Sequence, residues 1–331
     1  MDIVVHRLFY WTQTRVDKPM LNSSDSQSTS VRNVSRMPIW IRQQLGDGAH
    51  FGTTLASVAG NNLHTVCEEA RCPNRGECWS RGTATFMLLG DTCTRACGFC
   101  SVKTGRPGVV DQDEPRRVAE AVTQLGLRYV VLTSVNRDDQ ADKGVGIFSG
   151  TLRALRALDA DIGIEFLTPD FHGYQQQSVD HMEQTLATTP FGACDWPSLV
   201  WGHNVETVPS LYRIARKGSK YSRSLQLLEL ASRLEGVETK SAIMLGLGEQ
   251  EDEVVGVLSD LRNAGVSRVS IGQYLRPTIK HLPVVEYLSP DAFEHFGDVA
   301  RSFGFEWVKS GPLVRSSYHA EEIQKEKAGI E

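Results

Sequence analysis

From residue 84 onward the chain alternates short apolar runs with amphipathic stretches, and this alternation constrains the fold more than any other feature of the sequence. Short apolar runs are typical of buried strands, and the stretches between them carry the spacing of helices that bury one side. Repeated strand–helix units place parallel strands side by side. Six runs predict strands, at residues 84–90, 128–134, 162–168, 198–203, 240–245 and 267–274.

Six such units predict an α/β fold, specifically a partial (β/α)6 barrel similar to a TIM barrel, with a doubly wound sheet as the alternative. In either fold, ligands gather at the carboxyl ends of the strands. Residues 1–36 are polar and lack apolar periodicity, which predicts a disordered extension. We divide the rest into an N-terminal segment at 37–82, the barrel at 83–310 and a C-terminal segment at 311–331.

Composition and charge limit the partners. The 331 residues are 40% hydrophobic with a formal net charge of -5. The sequence has no stripe of lysine and arginine of the kind that binds a nucleic-acid backbone, so nucleic acid is not favoured as a partner. No apolar run approaches the ~18 residues of a membrane span, and His6 and Arg7 interrupt the N-terminus, so no signal peptide is predicted. We expect a cytoplasmic protein, or a plastid or mitochondrial one if residues 1–36 are a transit peptide.

Six of the seven cysteines form two triplets. The later triplet follows directly on the first predicted strand, where ligands gather. Cys194 stands alone and is interpreted as a buried apolar residue. The triplets are Cys67, Cys72 and Cys78, spaced C-x4-C-x5-C, and Cys93, Cys97 and Cys100, spaced C-x3-C-x2-C.

The spacing of the triplets favours iron–sulfur clusters over other cysteine sites. Disulfides are not expected, because nothing marks the chain as secreted. Structural zinc requires four ligands, and the C-x2-C pair of Cys97 and Cys100 has no matching pair. Thiolates are the usual ligands of iron–sulfur clusters, and a four-iron cube held by three cysteines leaves one iron open. Two triplets therefore predict two clusters, with a zinc-binding module as the alternative.

The segment "CTRACGFC", with Phe99 before its last cysteine, resembles the radical S-adenosylmethionine (SAM) superfamily. This resemblance implies that Cys93, Cys97 and Cys100 hold a [4Fe–4S] cluster. The open iron would bind the amino and carboxylate groups of SAM, and the reduced cluster would cleave SAM to a 5′-deoxyadenosyl radical.

Further segments, in their order and spacing over about residues 37–320, are similar to the lipoyl synthase family. They are "VCEEARCPNRGECW", "TSVNRDD", "HNVETV", "MLGLGE", "GQYLRP" and "GPLVRSSYHA". The resemblance implies that Cys67, Cys72 and Cys78 hold an auxiliary [4Fe–4S] cluster whose sulfides are inserted into the substrate. It assigns the last iron to a serine of "RSSY", either Ser316 or Ser317, and we expect Ser317.

The same resemblance implies a substrate and partners. The substrate is an octanoyl chain in amide linkage to a lysine of a lipoyl carrier domain, from the glycine cleavage H protein or the E2 subunit of a 2-oxoacid dehydrogenase. Sulfur enters at C6 and C8, with two SAM molecules consumed and flavodoxin or ferredoxin as electron donor. A radical enzyme that inserts sulfur into a free small molecule is the alternative.

Other residues at predicted strand ends are candidates for binding SAM, each with a structural alternative. Asn204 and Glu206 could bind its ribose or amino group, or cap the next helix. Gly246 lies in a segment that resembles the adenine-binding strand of the superfamily, or makes an ordinary turn. Ser134 is a candidate cofactor contact after the second strand. In the same "TSVNRDD" segment, Arg137 and Asp138 are expected either to orient the cofactor or carrier, or to form an ion pair that stabilises the loop.

Three departures from the family pattern stand out. Asn136 replaces an expected aspartate, Lys217 replaces a usual proline, and residues 189–203 form an irregular approach to the fourth strand. The basic run from Arg213 to Arg223 is expected to steer an acidic carrier domain towards the protein.

Overall fold

The structure is a computed structural model. It describes residues 37–41, 63–70, 72–80, 85–192 and 197–322, together with Gly52, Ala56, Val58 and Gly60. The predicted disordered extension at 1–36 and the interpretation of Cys194 lie outside the described residues.

The described strands form one eight-stranded sheet and one two-stranded ribbon. In the large sheet, β1 pairs antiparallel with β2, and the following strands are all parallel, in chain order, ending with β10. The ribbon pairs β3 with β4. The strands are β1 His64–Thr65, β2 Thr85–Leu88, β3 Thr92–Cys93, β4 Lys103–Thr104, β5 Tyr129–Ser134, β6 Gly163–Leu167, β7 Leu199–Gly202, β8 Val237–Leu245, β9 Arg268–Gln273 and β10 Trp307–Gly311.

All six predicted strands are confirmed, as β2 and β5 to β9. The parallel strands follow one another in sequence order and never reverse direction across the sheet, which excludes the doubly wound alternative. No hydrogen-bonded pairing among the described residues joins β1 to β10, so the sheet is open, in agreement with a partial barrel. The seventh parallel strand, β10, was not predicted.

A helix follows each of the six predicted strands, as a repeated strand–helix fold requires. Shorter helices carry Cys67 and Cys78 of the earlier cysteine triplet, called the second triplet below because it is proposed to hold the auxiliary cluster, and part of the basic run. The helices are α1 Val66–Glu69, α2 Arg75–Ser80, α3 Glu114–Gln124, α4 Val145–Leu158, α5 Gln175–Thr188, α6 Tyr212–Ala215, α7 Tyr221–Ala231, α8 Glu251–Asn263 and α9 Pro290–Ser302. Within the described ranges, no helix is long and apolar enough to cross a bilayer.

Alternation along β6 and β8 separates an apolar face from a polar one. In β6, Ile164 and Phe166 pack into the apolar core that the helices cover, whereas Glu165 between them lies on the other face. In β8, Ile243 belongs to the apolar core, and Lys240 forms an ion pair with Glu165 at 2.8 Å. The face away from the helices is therefore buried but polar, which suits a site for charged ligands.

Candidate functional site

The first cysteine loop begins at Cys93, which ends β3 just after the carboxyl end of β2. The Cys93 sulfur accepts hydrogen bonds from the backbone N–H groups of Arg95, at 3.4 Å, and Asn136, at 3.3 Å. A tight turn then brings the next two cysteines together, since the N–H of Cys100 donates to the carbonyl of Cys97 at 3.2 Å. These contacts fix the loop at the edge of the sheet that the sequence predicted.

Gly98 in this loop has no room for a side chain. A Cβ atom there would lie 2.9 Å from the carbonyl oxygen of Ile214 and 3.0 Å from Cγ of Leu282. The Gly98 N–H donates to Ala215 O at 2.8 Å, and the Gly98 carbonyl accepts from Leu282 N at 2.9 Å. The loop is thus held between two other segments by its own backbone.

Burial makes the thiols of this loop difficult to ionise. It raises the pKa of Cys97 to about 11 and that of Cys100 to about 12, and the neighbouring cysteines raise both values further. Repulsion between neighbouring thiolates thus acts in the same direction as burial. A cationic iron cluster would stabilise the thiolates and remove the repulsion, so the donor set fits a cluster.

A buried arginine that the sequence reasoning missed anchors the loop. The Arg95 side chain forms ion pairs with Asp138 at 2.7 Å and with Asp170 at 2.8 Å. Asp170 also pairs with Arg223 at 2.9 Å. Burial acts to raise the pKa of Asp170, but these cations outweigh it and bring the value down to about 2. The only signal for Arg95 in the sequence is its position between Cys93 and Cys97.

The "TSVNRDD" segment is organised by ion pairs. Arg137 pairs with Asp139 at 2.9 Å, not with the adjacent Asp138, and it donates to the carbonyl of Gly108 at 2.8 Å. The expected ion pair within this loop is therefore present with a different aspartate. Ser134, which ends β5, keeps a buried hydroxyl with no hydrogen-bond partner among the described residues. A buried hydroxyl in this position is available to a ligand.

Asn204 and Glu206 lie beside the first cysteine loop. The amide of Asn204 donates to Glu206 Oε1 at 3.2 Å, and the backbone of Glu206 adopts the left-handed conformation with φ of 68°. Burial raises the pKa of Glu206, while the nearby cation of Arg216 opposes the increase. The next helical turn, Pro209–Leu211, has no side-chain cap, so the capping alternative is wrong.

Gly246 also occupies a position that only glycine fits. Its φ is 101°, and a Cβ atom would lie 2.2 Å from Nε2 of Gln273 and 2.4 Å from the carbonyl of Glu286. The glycine therefore lets the chain pack closely against Gln273 and the segment that contains Glu286. Phe99 is half-buried between Gly98 and the last cysteine of the loop.

The second triplet lies on two short helices and the turn between them. Cys67 is in α1, Cys78 is in α2, and the N–H of Cys72 donates to the carbonyl of Cys67 at 3.1 Å. Burial raises the pKa of Cys67 to about 11, with a further increase from Cys72. The three cysteines line one cavity, and Ser317 and Arg315 of the C-terminal segment line it with them.

Side-chain contacts hold the C-terminal segment on this cavity. Glu77 of α2 accepts hydrogen bonds from the hydroxyl of Tyr318 at 3.0 Å and contacts Nε2 of His319 at 3.0 Å. Asn74 donates to the carbonyl of Leu313 at 2.8 Å. Ser317, but not Ser316, is among the residues that line the cavity. Among the described residues, no group of three or more His, Cys, Asp or Glu side chains is placed to hold a metal ion.

Arg315 lines the cavity of Cys67, Cys72 and Cys78. Its guanidinium is buried, which lowers its pKa, while Cys72 of the second triplet and Glu206 beside the first both oppose that decrease. Arg315 therefore carries a charge that groups at both cysteine sites affect.

Comparison with known proteins identifies the family. Residues 87–261 match the model of the Radical SAM superfamily. The chain is 46% identical over 313 residues to a lipoyl synthase of Rubrobacter xylanophilus, covering 92% of this chain and 94% of that protein. It is 48% identical over 300 residues to lipoyl synthase 2 of Parasynechococcus marenigrum, covering 89% and 99% respectively.

A solved structure agrees on the fold. Streptococcus suis SuiB bound to S-adenosylmethionine aligns with a TM-score of 0.50 and 11% identity, over 72% of this chain and 55% of that one. As a radical SAM protein, the chain uses a [4Fe–4S] cluster together with SAM. With nearly full-length relatives and both cysteine segments in place, this chain belongs to the lipoyl synthase family of the radical SAM superfamily.

Proposed function

We propose that this protein inserts two sulfur atoms, at C6 and C8, into an octanoyl chain bound to a lysine of a lipoyl carrier domain. The observation that carries the proposal is the single cavity lined by Cys67, Cys72, Cys78 and Ser317, with Arg315 also in its lining. This second triplet, with a serine in the same cavity, supports the proposal because it offers a site for a second cluster that can supply the sulfur.

Cys93, Cys97 and Cys100 are the residues that would hold the radical-generating cluster. When bound, that cluster and SAM supply a carbon radical able to remove hydrogen from an unactivated C–H bond, which no acid or base in the protein could do. The chain contributes position and exclusion of water. Arg95, with its partners Asp138 and Asp170, holds the loop in place, and the loop packs tightly at Gly98.

Five residues around this loop are proposed to bind SAM. Glu206 and Asn204 offer a carboxylate and an amide to its amino or ribose groups, and the unpartnered hydroxyl of Ser134 offers a further hydrogen bond. Gly246 lies in the segment that resembles the adenine-binding strand of the superfamily, and Phe99 lies in the loop just before its last cysteine. Two SAM molecules are consumed for each lipoyl group, because two hydrogens are removed.

The auxiliary cluster is the sulfur substrate, and Ser317 is proposed as its weakest ligand. An alkoxide oxygen is a harder ligand than a thiolate and suits iron in a sulfide cluster less well. Release of Ser317 would free one iron and expose sulfide on the side that faces the substrate. The hydrogen bonds of Tyr318 and His319 to Glu77 hold the backbone of the segment in place during that release.

The partners are proposed by the same reasoning. The carrier is the glycine cleavage H protein or an E2 subunit of a 2-oxoacid dehydrogenase, and the electron donor is flavodoxin or ferredoxin. The protein acts in the cytoplasm, or in a plastid or mitochondrion if residues 1–36 are a transit peptide.

Substitution of the two adjacent serines tests the proposal. With an octanoylated carrier domain as substrate, we expect Ser317→Ala to abolish the product that contains two sulfur atoms, because the auxiliary cluster loses its fourth ligand. Cleavage of SAM should continue at the rate of the unmodified protein. Mass spectrometry of the carrier measures the product, and chromatography of 5′-deoxyadenosine measures SAM cleavage.

Ser316→Ala is the matched control, since Ser316 does not line the cavity, and we expect it to retain both activities. Wild-type product formation by the Ser317→Ala protein would contradict the assignment of Ser317. Absence of any sulfur insertion by the unmodified protein would contradict the proposed function.

A further inference from the structure

Two basic segments lie against the first cysteine loop. They are residues 209–220, "PSLYRIARKGSK", and residues 276–282, "RPTIKHL", and neither contains an aspartate or glutamate. This is unusual for a chain in which acidic residues outnumber basic ones by 40 to 35. The two segments therefore form a local positive region on a protein of net negative charge.

Direct hydrogen bonds join both segments to the cysteine loop. The first segment accepts the Gly98 N–H at the carbonyl of Ala215, at 2.8 Å. The second donates from Leu282 N to Gly98 O at 2.9 Å, and His281 Nε2 lies 3.0 Å from the carbonyl of Cys100. Both segments are therefore in direct contact with the loop that is proposed to hold the radical-generating cluster.

The exposed side chains of these segments combine positive charge with apolar area. Ile214 is 47% exposed and Ile279 is 85% exposed. None of the exposed cations forms an ion pair with a carboxylate of the described residues. They are Arg213, Lys217, Lys220, Arg276 and Lys280. Protein-binding surfaces commonly combine apolar area with polar groups at the rim.

We propose that this surface docks an acidic one-electron carrier protein of the flavodoxin or ferredoxin type, which reduces the cluster held by Cys93, Cys97 and Cys100. The proposal rests on the proposed function, because it requires a cluster at that loop. One electron passes from the reduced carrier protein to the cluster, and the carrier protein is oxidised by one electron. No bond forms or breaks.

Location favours an electron donor over the lipoyl carrier domain that the basic run was expected to steer. Two members of that run, Arg216 and Arg223, are buried and point into the protein, so they are not available to a partner. No described hydrogen bond or ion pair links either basic segment to the second triplet or to Ser317. An electron donor must approach only the first loop, whereas the octanoyl chain must reach both cysteine sites.

Electrostatic docking predicts a specific dependence on salt. Opposite charges steer two proteins together at low ionic strength, and the attraction between exposed charges is screened over about 8 Å at physiological salt. Binding of an acidic donor to this surface should therefore weaken as salt is added, and reversal of one exposed charge should have a large effect only at low salt.

The test is titration of the reconstituted protein with an oxidised acidic flavodoxin, monitored by the fluorescence of its flavin. At low salt we expect Lys217→Glu and Lys280→Glu each to raise Kd roughly tenfold, and high salt to remove the difference. Arg128→Glu is the matched control, because Arg128 is exposed at the opposite, amino end of β5, and its Kd should be unchanged.

A second measurement separates docking from catalysis. SAM cleavage driven by flavodoxin should fall with Kd in the two variants, while cleavage driven by dithionite should equal that of the unmodified protein. Equal flavodoxin affinity in all variants would overturn the proposal. So would charge reversals that weaken the binding of an octanoylated carrier domain but leave the binding of flavodoxin unchanged. Loss of dithionite-driven cleavage would also overturn it, by placing these lysines in the SAM site. Binding of oxidised flavodoxin requires no turnover, so failure of lipoyl formation would not affect this result.

Discussion

Gly98 determines whether the first cysteine loop can pack between the two basic segments. A methyl group there would meet a backbone carbonyl at 2.9 Å, and that carbonyl cannot move without displacing α6. We expect Gly98→Ala to lower the free energy of unfolding by about 1–3 kcal/mol, as overpacking does, and to reduce iron bound at the first site. Urea unfolding and iron analysis of the purified protein measure the two effects.

Gly256 provides the control for this substitution. It lies in α8, where an added methyl group would have no neighbouring atom within 4 Å, so Gly256→Ala should be neutral or stabilising by up to ~1 kcal/mol. If the Gly98→Ala protein had the same stability and the same iron content as the unmodified protein, the loop would not be confined as described.

His203 gives the protein a pH dependence that can be isolated. Burial, with the nearby Arg216 cation, lowers its pKa to about 4 from an ordinary value near 6.5. The unfolded chain therefore binds more protons between these two values, and stability is lost as pH falls through that window. From pH 7 to pH 5 the loss from this residue is about 2 kcal/mol.

His203→Gln removes the titrating group. Urea unfolding at pH 7 and pH 5 should show a smaller loss of stability on acidification in His203→Gln than in the unmodified protein. An identical pH dependence in the two proteins would mean that His203 does not stay neutral in the fold.

At the residue scale, sequence reasoning located the cysteines but not the side chains that support them. Cysteine spacing is local, so both triplets could be read from short segments, whereas Ser317 was assigned through the family resemblance of the "RSSY" segment. Arg95 depends on Asp138, 43 positions later in the chain, and on Asp170 beyond it. Ion pairs over such separations are set by the fold and leave no local pattern.

At the scale of elements, a buried ion pair connects strands on the polar face of the sheet. Lys240 of β8 lies 2.8 Å from Glu165 of β6, and the hydroxyl of Tyr129 in β5 donates to the same carboxylate at 2.9 Å. Both charged side chains are almost fully buried. Loss of one partner would leave an uncompensated charge away from water.

We therefore expect Lys240→Met to lower the free energy of unfolding by about 3–5 kcal/mol. The double variant Lys240→Met/Glu165→Leu should recover much of that loss, because neither charge remains. Urea unfolding of the unmodified protein, the single variant and the double variant measures the loss of stability and its recovery. A single-variant loss below about 1 kcal/mol would indicate that water reaches the pair.

The elements that were predicted share a clear apolar pattern, and β10 lacks one. Each predicted strand is a continuous apolar or alternating run, whereas in Trp307–Gly311 only the first residue is buried. Its pairing with β9 comes from the position of α9, which returns the chain to the edge of the sheet. Such an edge strand is defined by tertiary contacts and not by its own composition.

At the scale of the whole molecule, distant parts of the chain meet to build the second site. Tyr318 contacts Glu77 across 241 positions of sequence. The hydroxyl of Ser101, just after the first loop, donates to the carbonyl of Glu69 in α1 at 2.6 Å, which joins the two cysteine segments. The family resemblance indicated that Ser317 belongs with the second triplet, and the fold provides the reason.

The central claim is that the chain builds two independent cluster sites. Iron and sulfide analysis under anaerobic conditions, with an absorbance spectrum, tests it most directly in three proteins: the unmodified chain and the alanine variants of each cysteine triplet. We predict about eight irons in the unmodified protein and about four in each variant. A colourless protein that contains zinc, or a variant of Cys67, Cys72 and Cys78 that binds as much iron as the unmodified chain, would contradict the account.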